Sequence, residues 1–142
     1  MRAILLPVGE ELFALTIDLV REVVTSPQVT ALATAPSSVR GVFSLRGEVL
    51  PILDTAQLVR RPVPERDAAA FAVVVQCGDV DVALVASTVP TIVDLGTVVQ
   101  PSDTPGALGT YLVAERLVTL VEPQALLANA GYGATPASKT GG

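Results

Sequence analysis

The chain has 142 residues, half of them apolar and only 16% charged, with a net charge of −5. That balance argues against disorder and for a chain that can bury a core. It also argues against a nucleic-acid partner, because neutralising phosphates needs a basic face and the only basic cluster is Arg60, Arg61 and Arg66.

The residue inventory removes most site chemistry. There is no histidine, which excludes a Ser-His-Asp triad, a Cys-His dyad and any histidine-ligated zinc. The single lysine is Lys139, and no Gly-Lys-Ser or Gly-Lys-Thr phosphate loop occurs. Cys77 is the only cysteine, so it reads as a buried thiol without a disulfide partner. The acidic pairs Glu10/Glu11 and Asp79/Asp81 flank turn glycines and read as solvated turns. No catalytic residue, metal ligand or cofactor site is expected. The longest apolar run, Ala68 to Val75, falls far short of the ~20 residues that cross a bilayer. The Ala3–Leu6 run after Arg2 breaks at Pro7 and is too short for a signal peptide. A cytoplasmic protein without direct membrane insertion is the expectation.

In chain order, the first signal is an apolar run from Ile4 to Val8, a Gly9-Glu10-Glu11 turn, and a second run from Leu12 to Ile17. Pro36 to Arg40 could form one helical turn ending at Gly41. Val42 to Leu45 leads through Arg46-Gly47-Glu48 into Val49 to Leu53, and Asp54 can cap a turn over Thr55–Val59. Arg60 to Asp67 reads as a connector. Phe71 to Val75 passes through Gly78-Asp79 into Val80 to Val85. Gln100 to Gly106 reads as a second connector, and Thr110 to Ala114 turns at Glu115-Arg116 into Leu117 to Val121. Pro123 opens a short helix through Ala130. Residues 131–142 are Gly, Ala, Ser and Thr-rich and are expected to be a disordered tail.

The two halves resemble each other. At a shift of 69, Gly9-Glu10 falls on Gly78-Asp79, Ala14-Leu15 on Ala83-Leu84, and Val23-Val24 on Ile92-Val93. At a shift of 68, Gly41 meets Gly109, Phe43 meets Tyr111, Asp54 meets Glu122 and Leu58 meets Leu126. The expected fold is all-β: two packed five-stranded SH3-like barrels with short helices, within one domain of residues 1–130 divided near 60–70. The copies part company at Arg46-Gly47, where the second has Ala114-Glu115. The fold therefore does not require the arginine there, which marks Arg46 as a candidate functional residue.

Three stretches carry a family resemblance. They are Leu6 to Ile17, Val20-Arg-Glu-Val-Val24, and Ala35 to Asp54 with its Leu45-Arg-Gly47 turn followed by Pro51 and Asp54. Together with Leu117 to Leu127 they resemble the CheW family, over about residues 2 to 130. The resemblance implies a non-enzymatic adaptor that links chemoreceptor cytoplasmic tips to the regulatory domain of a CheA-type histidine kinase, in arrays at the inner membrane. Residue by residue it implies partner-binding roles for Val20, Glu22, Val24, Arg46 and Gly47. Arg46 could equally pair Glu22 within the chain. Ser44, Thr55-Ala56 and Ala86-Ser87 depart from the family pattern. They leave open a module that binds the kinase domain without receptor coupling, or one that serves a pilus or other alternative pathway.

Overall fold

The computed structural model describes residues 1–62 and 70–129. The expected tail at 131–142 and most of the connector before Asp67 lie outside them. The elements are β1 (Arg2–Val8), β2 (Glu11–Thr16), a 3-10 turn (Ile17–Leu19), β3 (Val20–Thr25), β4 (Val39–Leu45), β5 (Glu48–Leu53), α1 (Thr55–Leu58), β6 (Phe71–Cys77), β7 (Val80–Ala86), β8 (Ile92–Asp94), β9 (Val98–Gln100), β10 (Ala107–Val113), β11 (Arg116–Val121) and α2 (Pro123–Asn129). All four hairpins expected from sequence form, each closing where a turn pair interrupts the apolar runs.

The strands make two sheets, ordered β8-β1-β2-β11-β10-β9 and β3-β6-β7-β5-β4. Residue by residue, the repeat holds. In the second sheet Val23 pairs Val73, Val24 pairs Ala72 and Ile52 pairs Ala83. In the first, Ile92 pairs Ile4, Val93 pairs Ala3 and Leu120 pairs Ala14. Even the irregularities repeat. β4 and β10 each break register beside a glycine, at Val39/Gly41 and at Ala107/Gly109.

Two expectations change. The sheets do not divide along the chain near 60–70: the β1–β2 hairpin lies with β8–β11, and the β6–β7 hairpin lies with β3–β5. The hairpins are exchanged because β2 and β7 find parallel partners in β11 and β5, pairings that local sequence cannot announce. The first sheet also has six strands, not five, because β9 pairs the edge strand β10. Its Gln100 therefore belongs to a strand and not to a connector. Pro36 to Arg40 is likewise no helix. Val39 N–H donates to Pro36 O at 2.9 Å, and Val39 and Arg40 then enter β4.

Each sheet wraps its own apolar cluster. Phe43, Leu50, Ile52, Ala72, Val74, Ala83 and Val85 fill the five-stranded one. Ala3, Ala14, Leu95, Val118 and Leu120 fill the six-stranded one. The largest cluster lies between the sheets, where the alternate residues of the exchanged hairpins meet: Leu6, Phe13 and Leu15 from one, Val73, Val75, Val82 and Leu84 from the other. α1 and α2 cap this cluster with Leu58, Leu126 and Leu127. Asp54 precedes α1 but makes no capping hydrogen bond with its side chain; its carboxylate instead accepts from Arg40 Nε at 3.4 Å.

Candidate partner interface

Arg46 and Gly47 form the two-residue tip of the β4–β5 hairpin, with φ of 51° and 84°. Positive φ at both positions gives the turn whose twist matches the flanking strands. Gly47 adopts it freely, and Arg46 accepts a left-handed backbone that disfavours most side chains. The tip projects the arginine outward, with 72% of its side chain exposed. Its Nη1 donates to Oε1 of Glu22 on β3, the strand at the opposite edge of the same sheet. The pair thus spans the gap between the sheet's two edges.

A second ion pair lies beside it. Arg21 Nη1 donates to the carboxylate of Asp81 on β7 and stands 3.9 Å from Glu48 on β5. Asp81, expected to be a solvated turn residue, is a strand residue with only 18% of its side chain exposed. Successive residues of β3 therefore present opposite charges, and each meets its complement. None of this repeats in the other sheet. The equivalent positions hold Pro90, Thr91, Ala114, Arg116 and Leu12.

The structure brings Glu22 and Arg46 into contact at the Gly47 turn, and Val20 and Val24 flank Glu22 on the same strand. Val20 and Val24 are half-buried; Val20 packs on the cluster between the sheets and Val24 on the five-stranded interior. Val23 is the exposed apolar residue of β3, at 38%. It shares a face with its cross-strand partner Val73, which belongs to the core between the sheets. Strand alternation carries that signal: Glu22 and Val24 face one way, so Val23 must face the other. Its repeat mate Ile92 is exposed too, at 52%.

Three departures from the family pattern fall on buried positions. Thr55 donates its hydroxyl to Val85 O at 2.6 Å, and Ala56 and Ala86 pack in the core between the sheets. Ser87 joins the two exchanged hairpins. Its Oγ accepts from Gly9 N–H at 2.8 Å, and its N–H donates to Pro7 O at 2.8 Å.

Among the described residues no group of three or more Cys, Asp and Glu side chains is placed to hold a metal ion. No helix among them is long and apolar enough to cross a membrane. Cys77 is buried, and burial, with Asp81 adding its charge, pushes the thiol up from 9.0 to about 12. It is an inert core thiol at neutral pH.

Comparison with known proteins points one way. The chain is 28% identical over 127 residues to a probable chemotaxis protein CheW of Rhizobium etli, covering 84% of this chain and 82% of that protein. A shorter match, 41% over 46 residues, is to the chemotaxis protein CheW of Treponema pallidum, covering 32% of this chain and 27% of that one. The crystal structure of the scaffolding protein TtCheW from Thermoanaerobacter tengcongensis has the same fold, with a TM-score of 0.76 at 19% identity over 89% of this chain and 91% of that one. The CheW-like domain model matches residues 2–131, and the chain belongs to that family.

Proposed function

We infer that the chain is a non-enzymatic cytoplasmic adaptor for chemotaxis signalling. It links the cytoplasmic tips of chemoreceptors to the regulatory domain of a CheA-type histidine kinase within an array. Family membership supports this reading. The observation that carries it to particular residues is the Glu22–Arg46 pair, built at one hairpin tip and missing from the repeat-related tip at Ala114. An exposed guanidinium on a short, well-defined turn can exchange an internal carboxylate for one on a partner, in fork geometry. Val23, at the edge of the core between the sheets, adds an apolar contact for a partner helix.

The test is reconstitution of purified chain, receptor cytoplasmic fragment and kinase regulatory domain. Co-sedimentation of all three is the expected result. Arg46→Ala should retain the fold and lose a partner; retained binding with a clearly lower unfolding temperature would assign the arginine to stability instead.

A further inference from the structure

On the outer face of the six-stranded sheet lies a groove of about 490 Å³, away from Arg46. Its floor is a pair of threonines directly opposite each other, Thr110 on β10 and Thr119 on β11. Tyr111 packs on the sheet's interior cluster, so its neighbour Thr110 points the other way, into the groove. Thr110 is only 5% exposed, yet its hydroxyl has no hydrogen-bond partner among the described residues. Buried hydroxyls in native folds are almost always bonded. This one is an open position facing a groove.

Two carboxylates stand at the mouth. Glu10 and Glu115 occupy the tips of the β1–β2 and β10–β11 hairpins, both exposed and neither in an ion pair among the described residues. The exposed Leu117, two residues before Thr119 and on the same face of β11, forms an apolar shoulder between floor and mouth. Two cations line the groove as well. Arg61 is engaged by Glu11 at 2.6 Å, Val59 O at 3.0 Å and Thr104 Oγ1 at 3.1 Å. Arg116 donates to the Glu10 carbonyl at 3.3 Å. The open positions at floor and mouth are therefore mainly acceptors.

We propose that this groove docks an arginine-bearing segment of a protein partner. The aliphatic stem lies on Leu117, and the guanidinium reaches the carboxylates of Glu115 and Glu10 with donors left for the Thr110 and Thr119 hydroxyls. A planar group with five donors suits this divided set of acceptors better than a compact ammonium. The partner is another protein and not a second copy, because two chains that each carry a net charge of −5 repel one another. This site stands apart from the kinase and receptor reading and does not depend on it.

The experiment is an NMR titration of the full, isotope-labelled chain with N-acetyl-Gly-Arg-Gly-amide, and with its citrulline and glutamate analogues. Saturating shifts of the Thr110, Leu117 and Thr119 amides are expected, with the arginine peptide binding about threefold or more tightly than the citrulline one. Glu115→Gln should abolish that preference, and Thr110→Val, which keeps shape and strand propensity, should weaken binding with the fold unchanged. Equal shifts for arginine and citrulline, or shifts elsewhere, would overturn the proposal. Tighter binding of the glutamate peptide would make Arg116 an anion site instead. Self-association in sedimentation that Glu115→Gln removes would identify the occupant as a second copy and overturn the choice of partner.

Discussion

Arg21 and Asp81 are joined across an intervening strand: the arginine is on β3, the aspartate on β7, and β6 runs between them. The bond shields Asp81 and leaves Arg21 near Glu48 at the base of the Arg46 tip. Asp81→Asn should cost about 0.5–1 kcal/mol, the range of a partly exposed pair, and the loss should shrink in high salt. Denaturant melts at low and high ionic strength measure both.

The two non-glycine residues at the β10–β11 tip, Ala114 and Glu115, have φ of 49° and 66°. The other copy places Gly47 where this one has Glu115. Glu115→Gly should therefore raise stability by about 0.5–1 kcal/mol, seen as a higher thermal midpoint. A lower midpoint would mean that Glu115 contributes a contact that outweighs its backbone cost.

Gly41 and Gly109 are repeat mates with φ of 152° and 146°, but they face different neighbours. A Cβ on Gly41 would lie 2.1 Å from the backbone oxygen of Thr30, while one on Gly109 would first meet a Val98 methyl at 2.8 Å. Backbone yields less readily than a side chain at a sheet edge. Gly41→Ala should cost about 3 kcal/mol or more and Gly109→Ala roughly half that, measured by equilibrium unfolding.

The Cys77 thiol is raised in the folded state to about 12 from 9.0. A group raised on folding contributes stability that is complete below its unfolded value and is lost as pH climbs through the folded one. Between pH 9 and 12 the chain should therefore lose about 1.4 kcal/mol per pH unit through this residue. Cys77→Ala should flatten that slope. At pH 8 the folded protein should resist alkylation, and the unfolded chain should react.

Much of the fold was legible because hairpins are local. The turns expected at Gly9-Glu10, Arg46-Gly47 and Gly78-Asp79 became hairpin tips, and the one expected at Glu115-Arg116 forms one residue earlier, at Ala114-Glu115. The repeat was legible for the same reason, since both copies keep their turns. The exchange of hairpins was not, because the deciding pairs Leu53–Leu84 and Leu120–Ala14 join residues far apart in the chain. At the candidate interface, motif resemblance picked out Glu22 and Arg46, which the fold brings into contact. It passed over Val23, whose exposure follows from strand geometry. It also passed over Asp81, which looked like one of two turn acids until β7 placed it opposite Gln76, within reach of Arg21.

The exchanged hairpins also govern how the molecule comes apart. Neither half of the chain contains a complete sheet, so neither has a native interior to retain once the other is gone. Unfolding should be a single cooperative event in spite of the twofold architecture. Assembly must wait for the long-range parallel pairings, which places this chain among the slower-folding small β proteins.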